Sequence, residues 1–284
     1  MFRIFTDNAA NLPTELIDRW ELGIVPIMCY REEEGIDPFA PFDGRAFYTD
    51  MREGVVMSTS MPNMSAFLDT FTPSLEKGED VLYIGMSGGI SGTAALAHSA
   101  CEELAEAFPA RRIAAIDTRG ASLGEGLPVL YAASLREQGM DFDEVVRLTE
   151  ENCDHMWQVF TVDDLKYLRK TGRLYSAAVK VTNLLNVKPI LMGDKEGHIV
   201  LRFMNVGRKR ALDTLAARYR DRCEDKNAPV GLAHADSEAD AKYVIEKLRA
   251  AGCTGEITTV MYEPVTGSHV GPGTVALFFY GPER

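Results

Sequence analysis

The densest cluster of chemistry-bearing residues lies between Gly85 and Thr93, in the run Gly-Met-Ser-Gly-Gly-Ile-Ser-Gly-Thr. A short apolar run, Val81 to Ile84, reads as a buried strand leading into it, and an Ala-rich helix follows it. A strand, a Gly/Ser loop and a helix N-terminus make an anion site. Glycines let the backbone come close, the first helical N–H groups have no intrahelical acceptor, and the helix dipole favours negative charge. Ser87, Ser91 and Thr93 add hydroxyl donors. A carboxylate or a phosphate is the expected ligand of such a loop, with Ser91 as the expected helix cap.

Gly85-Met-Ser-Gly-Gly89 also satisfies G-x-S-x-G between a strand and a helix, the context of a nucleophile elbow, and His269 lies downstream of it. A serine esterase using Ser87 is therefore an alternative reading. Against it, Gly88 to Gly92 separate the serine from the helix, and no HGGG-type oxyanion segment precedes it. Nucleotide motifs are weaker still. The P-loop pattern is absent, and Gly88, Gly89 and Gly92 do not fit G-x-G-x-x-G.

Thr266-Gly-Ser-His-Val-Gly-Pro-Gly-Thr274 reads as a rigid loop before the last strand, and its His269 can donate a hydrogen bond to an anion. Lys170-Thr-Gly-Arg173 puts a cation at a turn after a short helix, where an arginine is expected to be exposed. Met51, Met57, Met61 and Met64 cluster ahead of one helix, either as ordinary core or as an adaptable lining for a flexible apolar ligand.

The elements that must position these residues alternate. Phe2–Phe5, Val81–Ile84 and Arg112–Thr118 read as strands, and 13–20, 64–76, 91–108 and 121–138 as helices. Gly23 to Tyr30 reads as one apolar run, and Arg31 to Val55 as an irregular excursion. Such alternation implies a mostly parallel sheet with helices on both faces. After the helix 142–153 the pattern changes. Asp163 is the expected N-cap of a helix to Lys170, and Val187–Met192 and Ile199–Val206 flank a Gly193–Gly197 turn as a hairpin. Strands 230–234, 257–261 and 275–280 complete a mixed sheet. The expected fold class is α/β with two α/β domains, 1–154 and 155–284.

A net charge of −12 over 284 residues disfavours a nucleic-acid or anionic-membrane surface. Five scattered cysteines without C-x-x-C suit a reducing compartment, and neither they nor the five histidines offer metal-ligand spacing. No basic-then-apolar leader and no span-length apolar run is evident, so the expectation is a cytoplasmic protein without stable membrane insertion.

Taken in order, several segments resemble the DegV family of bacterial fatty-acid-binding proteins, along nearly the whole chain. Thr59-Ser-Met-Pro62 resembles the family's Thr-Ser-Gln-Pro, and Ser87-Gly-Gly-Ile-Ser-Gly-Thr93 its Ser-Ser-x-Leu-Ser-Gly-Thr loop. Asp164-Leu-x-Tyr-Leu-x-Lys-Thr-Gly-Arg173 resembles Asp-Leu-x-Tyr-Leu-x-x-Gly-Gly-Arg; Leu185-Asn-Val-Lys-Pro-Ile-Leu191 and His269-Val-Gly-Pro-Gly273 match two further signatures. The departures are Met61 for glutamine, Gly88 for serine and Thr171 for glycine. The resemblance implies a long-chain fatty acid held between two α/β domains, its carboxylate bound by hydroxyls. It implies presentation of that acid to a separate fatty acid kinase, with the acyl-phosphate passing to an acyltransferase of phospholipid synthesis. By position it carries ligand binding onto Thr59, Ser60, Ser91, Gly92 and Thr93, with His269 close by, and a partner or phosphate role onto Arg173. It implies no catalytic residue, cofactor or metal in this chain.

Overall fold

The computed structural model describes residues 2–175 and 186–284; Leu185, first residue of one quoted signature, lies outside them. In chain order the elements are β1 (Phe2–Asp7), α1 (Thr14–Arg19), β2 (Gly23–Val25), β3 (Met28–Arg31), β4 (Glu34–Ile36), α2 (Gly44–Glu53), β5 (Met57–Ser60), α3 (Met64–Glu76), β6 (Asp80–Gly85), α4 (Thr93–Ala107), β7 (Ile113–Asp117), α5 (Leu123–Glu137) and α6 (Phe142–Asp154). They continue as β8 (Met156–Thr161), α7 (Lys166–Lys170), β9 (Val187–Gly193), β10 (Ile199–Val206), α8 (Arg208–Arg222), β11 (Val230–His234), α9 (Glu238–Ala250), β12 (Ile257–Met261), α10 (Pro264–Val270) and β13 (Val275–Tyr280).

The fold is α/β, with a parallel sheet in the N-terminal part and a mixed sheet in the C-terminal part. The first sheet runs β2-β1-β6-β7, every pair parallel. β6 is buried at every position, as a central parallel strand covered on both faces must be. The second sheet runs β10-β9-β8-β13-β11-β12, with only β11 and β12 parallel. Its β9–β10 pair is the hairpin expected from the Gly193–Gly197 turn. A small antiparallel sheet, β4-β3-β5, stands beside them.

α5 joins the two large sheets into one core. Leu123 and Leu127 cluster with Phe160, Ala233, Ala276 and Phe278 of the second sheet. Val129, Ala132 and Ala133 of the same helix cluster with Ile4, Leu82 and Ile84 of the first. So close a fit requires glycine: a Cβ at Gly126 would meet the Ala10 carbonyl oxygen at 2.6 Å.

Five local expectations are corrected. The run Gly23–Tyr30 is two strands, because Pro26 has no N–H for a ladder, and the two join different sheets. The excursion Arg31–Val55 contains α2, capped by the Asp43 carboxylate on Ala46 N and burying Phe47, Tyr48 and Met51. Asp163 does not cap α7; Asp164 accepts from Lys166 N, while Asp163 pairs with Lys188 at 2.7 Å. The segment before the last strand is not all loop. Glu263 accepts from the amides of Val265 and Thr266 and starts α10, which carries His269 in its last turn. The N-cap of α4 is Gly92 rather than Ser91.

Candidate functional site

A cavity of about 320 Å³ opens where the loops after β6 and β7 face the second sheet. Met86, Ile90, Ser91 and Gly92 come from the loop after β6; Arg119, Gly120 and Ala121 from the loop after β7. Gln158 and Phe160 of β8, Leu168 of α7, Ile199 of β10 and Phe278 of β13 form the facing wall. Thr59 of β5 and Val265, Thr266, His269 and Val270 of α10 close the side. Ligands of parallel α/β sheets gather at this carboxyl edge of the strands, where helix N-termini point outward. The volume is at the lower end of the roughly 300–1,000 Å³ typical of ligand pockets.

The cavity wall carries several polar side chains. The Thr59 hydroxyl lies 2.9 Å from His269 Nε2. His269 Nδ1 is buried and has no hydrogen-bond partner. Burial first, and the nearby Arg173 cation second, depress the His269 pKa to about 4, so the ring is neutral at pH 7. A neutral imidazole carries one N–H; on Nε2 it donates to Thr59 Oγ1 and leaves the Thr59 O–H for a bound anion. Ser91 also lines the cavity. Its hydroxyl sits 2.8 Å from the Thr93 hydroxyl and accepts from Thr93 N at 3.3 Å. Gly92 lines the cavity beside it. Arg173 lines the rim, half-buried rather than exposed; its guanidinium donates to the carbonyls of Ile90 (3.3 Å) and Thr171.

Two of the expected ligand residues lie off the cavity. Ser60 follows Thr59 in a strand, so it points to the opposite face; it is exposed, 3.4 Å from the Tyr30 hydroxyl. Thr93 is fully buried and touches Ser91, not the lumen. The elbow expectation for Ser87 also fails. Its hydroxyl is fully buried, donates to the Gly197 carbonyl at 2.9 Å and accepts from Gly89 N at 3.0 Å. Ser87 thus ties the anion loop to the β9–β10 turn, while His269 engages Thr59 instead. Of the methionines, Met51 and Met57 are core and Met61 is exposed at the cavity.

Sequence reasoning missed the support beneath the loop. Asp7, at the carboxyl end of β1, accepts from the Tyr83 hydroxyl (2.7 Å), Met86 N (3.3 Å) and Ala9 N (2.9 Å). Glu125 accepts from the Thr6 hydroxyl at 2.9 Å, and its Oε2 has no partner. Both carboxyls are fully buried, and desolvation raises both pKa values. An acid at the end of the first parallel strand, followed by Asn8, was the available signal. Gln158 was also missed; it donates to the Arg119 carbonyl at 2.9 Å and shapes the cavity floor. The histidines are not all remote from carboxylates. His198 gathers with Asp194 and Glu196 in the β9–β10 turn, their ligand atoms within 4.8 Å of one another. Asp194 Oδ1 is already occupied there by the amides of Glu196 and His198.

Among the described residues no helix is long and apolar enough to cross a membrane. The family model described as "Uncharacterised protein, DegV family" matches residues 1–281. A DegV domain-containing protein of Clostridium perfringens is 35% identical, over all of this chain and 98% of its own. A DegV family protein from Thermus thermophilus, reported for its fatty-acid binding, superposes with a TM-score of 0.89 at 27% identity, covering 99% of both chains. DegV from Bacillus subtilis, described as a fatty acid binding protein, superposes with a TM-score of 0.86 at 26% identity, again covering 99% of both. With its parallel and mixed sheets, its hydroxyl-lined cavity and a match over nearly its whole length, the chain belongs to the DegV family.

Proposed function

We propose that this protein binds a long-chain fatty acid between its two α/β halves, divided at residues 154 and 155, and presents the carboxylate to a separate kinase. The observation that carries the reading is the cavity's polarity. Thr59 and His269 pair in the wall, Ser91 and Arg173 line the same cavity, and Met86, Ile90, Phe160, Leu168, Ile199 and Phe278 give it apolar stretches. The fatty-acid binding reported for the Thermus thermophilus and Bacillus subtilis relatives supports it. A carboxylate in an apolar cleft is costly unless hydrogen-bonded. Hydroxyls of Thr59 and Ser91 supply charge-assisted bonds, with His269 Nε2–H donating to the Thr59 oxygen so that the Thr59 O–H is free for the carboxylate. Each buried methylene contributes about 0.8 kcal/mol, so the tail provides affinity and the polar side chains orientation.

In this reading the chain performs no covalent step. The kinase forms the acyl-phosphate, an acyltransferase of phospholipid synthesis consumes it, and Arg173 at the rim engages the kinase or the transferred phosphate. A guanidinium suits either, since it offers planar paired donors. The serine esterase alternative is disfavoured by the buried, doubly bonded Ser87 hydroxyl. The test is mass spectrometry of an organic extract of the purified protein, followed by rebinding to delipidated protein. About one long-chain acid per chain is expected. Folded, delipidated protein that rebinds no acid of fourteen to eighteen carbons refutes the reading.

A further inference from the structure

Asp7, the last residue of β1, and Glu125, in the first turn of α5, are both 0% exposed. Donors reach the pair from several elements. The Tyr83 hydroxyl, Met86 N and Ala9 N donate to Asp7, and the Thr6 hydroxyl donates to Glu125 Oε1. Glu125 Oε2 is left without a donor. Within hydrogen-bonding reach of the Glu125 carboxyl stands the Asp7 carboxyl itself. An ionised carboxylate only accepts, so two in contact need a hydrogen between them.

No cation offsets this. The other titratable groups facing the pair are Tyr83 of β6, Glu263 at the start of α10 and, beyond Tyr83, Cys101 of α4. Among the described residues no lysine or arginine pairs with either carboxyl. Burial raises both pKa values, and the charge of Asp7 raises that of Glu125 further. Buried like charges in contact do not both ionise at neutral pH. The pair also touches the ligand site. Asp7 Oδ2 holds the amide of Met86, and Met86 lines the cavity that takes the acid. Asp7 and Thr6 border a separate cavity of about 580 Å³, lined also by Phe39 and Ala40, both exposed. Among the described residues none lines both cavities, so protons reach the pair without crossing the ligand's space.

We propose that Asp7 and Glu125 hold a proton between them at the base of the anion loop, and that this pair links ligand binding to pH: a fatty acid binds with net proton uptake and is released more readily as pH rises. This rests on the fatty-acid reading above. The sign follows from charge. A carboxylate arriving across the Met86 amide adds a negative charge that favours the protonated pair. By reciprocity, a condition that strips the proton weakens the hold on the acid. Uptake of one proton makes affinity fall about tenfold per pH unit, and uptake of about 0.3 proton makes it fall about twofold.

The test is calorimetric titration of delipidated protein with a fourteen-carbon acid, in buffers of different ionisation enthalpy, at about pH 6.5, 7.5 and 8.5. In this range the free acid is already ionised and His269, with its pKa at about 4, stays neutral. Wild type should take up at least about 0.3 proton per acid, and its affinity should fall at least about fourfold across the range. Glu125→Gln keeps an oxygen for Thr6 and offers Asp7 an N–H where the shared proton stood. Its uptake and pH dependence should drop by at least half. Asp7→Asn breaks the pair from β1 and decides the matter if the first variant does not fold, as read by thermal unfolding. Uptake that survives in the folded variants, or that disappears in Glu263→Gln alone, overturns the pair as the seat of the linkage. Wild type that binds the acid without proton uptake overturns the linkage and leaves the fatty-acid reading standing. Wild type that binds no acid overturns that reading, and the linkage with it.

Discussion

Replacing Thr59 with valine removes a hydroxyl and keeps the shape of the side chain. In the structure that hydroxyl is 2.9 Å from His269 Nε2, and Thr59 lines the cavity. The bond to a bound carboxylate is charge-assisted, and such bonds contribute about 1.5–3 kcal/mol. Affinity for a long-chain acid should therefore fall roughly tenfold to somewhat over a hundredfold. Ser60 supplies an internal control, because it neighbours Thr59 in sequence but lies on the exposed face of β5. Ser60→Ala should stay within about twofold, since surface substitutions of this kind shift free energies by roughly 0.5 kcal/mol or less. The assay is displacement of a fluorescent fatty acid from delipidated protein, with thermal unfolding recorded for each variant. If Thr59→Val binds within twofold of wild type, the hydroxyl does not hold the head group. Equal losses in Thr59→Val and Ser60→Ala would mean that the strand's position, not its inward hydroxyl, carries the effect.

Three further outcomes are expected. His269 has its pKa depressed to about 4, below its ordinary 6.5, chiefly by burial, so the folded protein resists a proton that the unfolded chain accepts. Its contribution to stability is whole above pH 6.5 and is lost as pH falls toward 4, by on the order of 3 kcal/mol; urea unfolding of the unliganded protein at pH 7.5 and 4.5 should show this, and His269→Gln should remove it. Glu125 shifts the other way: desolvation raises its pKa, so its burial costs stability increasingly as pH rises above the ordinary carboxylate range. Glu125→Gln keeps an acceptor for Thr6 and should stabilise the protein more at pH 8 than at pH 5; a flat difference between the two pH values counts against it. Arg173→Ala should leave fatty-acid affinity within a few-fold and sharply slow acyl-phosphate formation with the partner kinase and ATP. Equal losses in both assays would place its main role at the head group, because the side chain reaches the cavity rim.

Local chemistry made much of this protein legible from residues alone. The unbroken apolar run of β6, the Gly/Ser loop after it and the Ala-rich α4 specify a strand, an anion loop and a helix through backbone permissiveness and side-chain size. Strand and helix spacing likewise pointed to a parallel sheet followed by a mixed one, since burial on one face or two leaves its period in the chain. What distance along the chain hides was decided by packing. Thr59 meets His269 across 210 positions, and Ser87 is capped by a carbonyl 110 residues later. No local rule says that the first of these pairs opens onto a cavity and the second closes over a serine. Ser60 and Thr59 are equivalent as hydroxyls; only the pleat of β5 and its seat against α10 make one a lining residue and the other a surface residue. α2 and α10 were hidden because their caps, Asp43 and Glu263, sit among prolines and glycines that read as loop. Asp7 and Glu125 come together only because α5 is inserted between two sheets, and that insertion depends on a close approach at Gly126 that becomes visible when the backbones meet.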